Sequence, residues 1–132
     1  MTTTTTFALS LPARPESLTV VRHVLGGITD VWAVSPELLD DVRIAVTEAC
    51  SSVITHGDHG TGASMVEVQG SDVDGQLLLV VRSREPGLDA SAGSPDLGLA
   101  MPLIGALTSS LEIGRSPDGL HEVRMTFPRD DA

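Results

Sequence analysis

At 132 residues with a single cysteine, the chain is long enough to bury a core of its own and cannot form an intrachain disulfide. A formal net charge of −10, with every basic residue an arginine, argues against direct binding to nucleic acid or anionic lipid. No apolar run approaches the roughly 18 residues of a spanning helix, and the opening MTTTTTF has neither a basic segment nor an apolar stretch, so the expectation is one soluble, cytoplasmic domain over residues 1–132.

Residues 3–11 are rich in β-branched side chains and alternate well enough for a strand. The segment PARPES breaks it, and Pro15 and Glu16 suit the first turn of a helix. Leu18, Val21, Leu25 and Ile28 then fall at helical spacing, with Val24 widening the stripe until Gly26-Gly27 weakens it. A second helix starts at SPELLDD, where Ser35 can cap, Pro36 takes the first helical position and the acids favour the positive helix end. Its apolar stripe is Leu38, Val42, Ala45, Ala49 and Val53, and HGDHGTG ends it. The pattern next switches to period two. SMVEVQG and QLLLVVRS flank SDVDG, a hairpin with Asp74-Gly75 in the turn. Residues 77–81 are apolar on both faces, which predicts a central strand. Residues 84–96 form a long loop of Pro, Gly, Ser and Asp that suits a lid. LGLAMPLIGALTS reads as a short helix, and LEIGRS, PDG and LHEVRMTF as a final hairpin. The order β-α-α-β-β-loop-α-β-β fits an α+β two-layer sandwich, a mixed and mostly antiparallel sheet with helices on one face.

The second helix raises a chemical question. VTEACSSVITH carries Glu48, Ser51 and Ser52 beside its apolar stripe, where a purely structural helix would be better served by leucine and alanine. This face is expected to line a cavity bounded by residues 84–96 and the segment from Gly98. Cys50 reads as a small buried apolar residue rather than a nucleophile. His56 and His59 with Asp58 lack a convincing third and fourth metal ligand. There is no Gly-x-Ser-x-Gly elbow to support a hydrolase.

These elements together resemble the anti-sigma-factor serine kinases of the histidine-kinase-like ATPase (GHKL) superfamily, small regulators of bacterial stress and sporulation sigma factors. LPARPESLTVVRHVLGGI is similar to their opening strand and first helix, LDDVRIAVTEACSSVITH to their Glu-Ala-Cys-x-Asn helix, and GLAMPLIGAL to their glycine-containing phosphate lid. The resemblance implies that Glu48 is the general base toward a substrate serine and that Ser52 stands where an asparagine holds magnesium on ATP. Ser83 stands where an aspartate accepts from adenine, followed by Glu85-Pro86 and Gly87. Gly98-Leu99-Ala100 replaces a Gly-x-Gly, so Ala100 adds a Cβ near the phosphates. All three nucleotide motifs are altered, which implies weak or absent Mg-ATP binding. The resemblance also implies a homodimer, and a surface around Arg22 that contacts a sigma factor or an anti-sigma antagonist, apart from Glu48. The competing expectations are an active serine/threonine kinase and a dimerising structural module that binds no sigma factor.

Overall fold

A computed structural model describes residues 3–56, 64–84 and 100–128. The elements in chain order are β1 (Thr3–Pro12), α1 (Ser17–Gly27), α2 (Thr29–Trp32), α3 (Pro36–His56), β2 (Met65–Val73), β3 (Gln76–Ser83), α4 (Ala100–Leu107), β4 (Ser110–Arg115) and β5 (His121–Pro128). The five strands form one sheet in the order β1-β2-β3-β5-β4. The α+β sandwich stands as expected, and every ladder among the described residues is antiparallel where a mixed, mostly antiparallel sheet was expected. β3 is central, as its two-sided apolar run requires. No helix among the described residues is long and apolar enough to cross a membrane.

Local chemistry places the boundaries. Around PARPES, Ser17 Oγ donates to Pro12 O at 2.6 Å, tying the start of α1 to the end of β1. Ser35 caps α3 by accepting from Leu38 N at 3.2 Å, which satisfies one of the orphan donors of the first turn. Asp74 and Gly75 both have positive φ, 50° and 81°, the two-residue hairpin geometry whose twist matches the flanking strands.

The apolar face of the sheet (Val66, Val68, Leu77, Leu79, Val81, Val123, Met125 and Phe127) packs under the stripes Val21, Leu25, Ile28 of α1 and Leu38, Val42, Ala45, Ala49, Val53 of α3. Fully burying such a side chain contributes about 1.5–3 kcal/mol. Phe7 lies across Gly70. A Cβ built there would stand 2.9 Å from Phe7 Cδ1, so the close approach depends on glycine. The sequence gives no separate sign of α2. It forms where Trp32, 2% exposed, drops into the core with its ring 6.3 Å from that of Phe7 and its Nε1 donating to Thr6 Oγ1 at 2.9 Å.

The other face of the sheet carries a polar ladder. Arg82 Nε donates to Glu122 Oε2 at 2.6 Å and its Nη1 to Gln69 Oε1 at 3.3 Å, while Arg124 Nη1 reaches Glu122 Oε1 at 3.4 Å. Glu122, 8% exposed, is thus held between two guanidiniums, the arrangement that makes a buried carboxylate tolerable.

Candidate functional site

Two rows of side chains run along α3. Asp40, Ile44 and Glu48 follow at four-residue spacing and stack in one row, while Arg43 and Thr47 form the row beside it. With Arg22 from α1, these residues line a cleft of about 360 Å³. Ile44 is an exposed apolar contact at 45% exposure, Glu48 is half-buried and Arg22 exposed. Thr47 is only 8% exposed, and its Oγ1 is buried without a hydrogen-bond partner. Among the described residues no ion pair joins Arg22, Arg43, Asp40 and Glu48, although all four border the same space. Arg22 and Glu48, assigned to separate surfaces from the sequence, therefore meet in one cleft.

Ser52 lies one turn beyond Glu48 on α3. It is 2% exposed, and its Oγ has no partner, an orphan hydroxyl at the position where the resemblance expects a magnesium ligand. Ser83 ends β3, 3% exposed, with its Oγ donating to Met65 O at 3.2 Å. That hydroxyl is already engaged. Ala100 opens α4, which packs against α3. Gly87 and Gly98, with Glu85 and Pro86, lie outside the described residues, as does the loop expected to bound the cavity; His59 and Asp58 do too. No group of three or more His, Cys, Asp or Glu suited to a metal occurs among the described residues.

Sequence reasoning missed Asp40, Arg43, Ile44 and Thr47. Their helical spacing was readable, but only the packing of α1 across α3 turns an exposed face into the wall of a cleft with Arg22 opposite.

Cys50 is wholly buried in the core, and burial pushes its thiol from 9.0 up to about 12. The thiolate is the reactive form, so this cysteine is inert in the folded protein. Because the folded-state value is raised, the unfolded chain releases its proton first as pH climbs. Stability is full below about pH 9 and falls above it by up to ~1.4 kcal/mol per pH unit until the folded value is reached. The sequence has no Tyr and no Lys to titrate in that range. Urea midpoints measured on either side of pH 9 are therefore expected to drop at the alkaline end in wild type and to hold steadier in Cys50→Ala.

Comparison with known proteins places this geometry. The chain is similar to the serine-protein kinase RsbW of Bacillus velezensis, 27% identical over 94 residues, 71% of this chain and 59% of that protein. It is also similar to RsbW of Bacillus licheniformis, 31% identical over 69% of this chain and 57% of that protein. It thus spans less than two thirds of the length of these curated relatives. Among solved structures, RsbU and RsbW domains from Mycobacterium tuberculosis align over 96% of this chain and 35% of theirs, with a TM-score of 0.64 at 19% identity. A histidine kinase domain from a blue-light-activated kinase of Erythrobacter litoralis covers 89% of this chain and 61% of its own, with a TM-score of 0.58 at 17% identity. At such identities these two likenesses show the fold alone. The model of the histidine kinase-like ATPase domain matches residues 11–127, from the end of β1 through β5, and the chain belongs to that family.

Proposed function

We propose that this protein is a bacterial anti-sigma-factor or partner-switch regulator, acting by binding a sigma factor or its antagonist, with ATP binding and kinase activity weakened or lost. Its similarity to RsbW serine-protein kinases supports the regulatory class, and Arg22 is the residue assigned to partner contact. The reading also makes the protein a cytoplasmic homodimer that engages its partner directly.

The observation that carries the weakened nucleotide site is Ser83. Ser83 is buried and donates to Met65 O; its oxygen keeps lone pairs to accept with, but it offers an adenine amino group a neutral acceptor in place of a carboxylate, a weaker partner. Ser52 offers one orphan hydroxyl, a short ligand for an ion that demands near-ideal octahedral geometry. The described residues therefore fit a magnesium nucleotide poorly. Titration calorimetry with Mg-ATP is expected to show binding weaker than about 100 μM, roughly two decades below a micromolar site. Micromolar affinity, or transfer of labelled phosphate to an antagonist serine that Glu48→Ala abolishes, would establish the kinase reading instead.

A further inference from the structure

The cleft between α1 and α3 holds a set of groups for which no partner is found among the described residues. Arg22 and Arg43 bring planar, multiply donating guanidiniums to it without ion-pairing to Asp40 or Glu48. Thr47 Oγ1 is more than nine-tenths buried and has no partner. Such a hydroxyl costs stability unless something completes its hydrogen bonds. Two guanidiniums beside a buried hydroxyl are matched by a carboxylate, which accepts from the arginine forks and from the threonine together.

The second row limits what else can enter. Asp40 and Glu48 flank Ile44 on the same cleft, so its formal charge sums to zero, and a polyphosphate or nucleic acid entering it meets two carboxylates. A singly charged group escapes that repulsion when it sits on the Arg43–Thr47 row, with the exposed Ile44 free to contact the apolar part of the same ligand. We propose that this cleft is a receptor for a carboxylate carried on a protein segment, an Asp or Glu side chain held by Arg22, Arg43 and Thr47 Oγ1, with Ile44 contacting its aliphatic stem. The inference rests on the regulatory reading only for the identity of the protein that carries the carboxylate.

The test uses the isolated full chain and two small probes of equal shape, N-acetyl-aspartate amide and its neutral isostere N-acetyl-asparagine amide, at constant ionic strength. Two-dimensional amide and arginine side-chain NMR is expected to show saturable shifts at Arg22, Arg43 and Thr47 with the aspartate probe, with a dissociation constant on the order of 1 mM. The asparagine probe is expected to bind at least about tenfold more weakly, the loss of a charge-assisted pair. Arg43→Gln is expected to weaken the aspartate probe by a similar factor.

Thr47→Val separates a binding role from a structural one. Replacing an orphaned hydroxyl with a methyl of the same shape is expected to raise the melting temperature while weakening the aspartate probe roughly fivefold, about 1 kcal/mol. Equal binding of the two probes, or a lowered melting temperature in Thr47→Val, overturns the inference. Because no partner or nucleotide is present, such a failure is distinct from a failure of the regulatory reading, which the Mg-ATP titration and partner binding decide.

Discussion

Ser83→Asp is expected to lower stability by roughly 3 kcal/mol, the scale on which an uncompensated charge is tolerated in a protein interior. Ser83 is 3% exposed and donates to the carbonyl of Met65. An ionised aspartate has no proton to give and would set its oxygens against that carbonyl's lone pairs, in a place water scarcely reaches. Ser83→Ala gives the control: it only removes one hydrogen bond, worth about 1 kcal/mol. Thermal melts should therefore rank wild type, Ser83→Ala and Ser83→Asp in descending order, with the last some 10–15 °C below wild type on the size scaling of small domains. Wild-type stability in Ser83→Asp would show that the site has room and solvent for a carboxylate, and the case for a weakened nucleotide site would lose its main support. A pronounced rise in the melting temperature of Ser83→Asp on adding Mg-ATP, beyond any seen for wild type, would follow if an adenine amino group can relieve the buried charge. Combining it with Ser52→Asn and Ala100→Gly should strengthen nucleotide binding more than any one of the three changes.

Trp32→Ala is expected to cost about 3–5 kcal/mol, the range for removing a large aromatic from a core. Trp32 is 2% exposed, packs on Phe7 and donates to Thr6, so its loss leaves a void and an unmet hydroxyl at once. Trp32→Phe keeps most of the volume and loses the indole donor, and should fall between the two. Urea denaturation followed by circular dichroism distinguishes them; an alanine variant within about 1 kcal/mol of wild type would mean that the surroundings collapse to fill the space.

Where periodicity and turn chemistry act locally, the sequence reveals the fold. The Leu38, Val42, Ala45, Ala49, Val53 stripe, the Ser35 cap and the Asp74-Gly75 turn all stand where their residues say, because each depends on neighbours within a few positions. α2 escaped because a four-residue helix has no room for a period, and its position is set by what Trp32 finds in β1. The site was half legible. Glu48 and Ser52 announce themselves as polar residues on a core helix, yet Ser83 looks like an open hydroxyl until the β2 and β3 register shows its oxygen against Met65. The meeting of Arg22 and Glu48 in one cleft depends on how two separate helices pack, and no spacing rule reports it. Arg43 and Thr47 carry no mark of the cleft in the sequence for the same reason.

The ladder between β1 and β2 has a kinetic consequence. Its pairs, from Thr3 with Val73 to Pro12 with Met65, reach across the whole of α1, α2 and α3, whereas β2 with β3 and β4 with β5 join strands adjacent in the chain. Closing that long loop costs chain entropy before its contacts can return any. The two hairpins can therefore assemble under α3 first, and β1 docks late, at an outer edge of the sheet. Late docking does not make β1 the first segment to leave: its ten-residue strand pairs with β2 along its length and holds Trp32 through Phe7 and Thr6, whereas β4 at the other edge has six mostly exposed residues. The described lining residues of the cleft come from α1 and α3, so among them the cleft takes no side chain from this late strand, and α1 is tied to it where Ser17 meets Pro12.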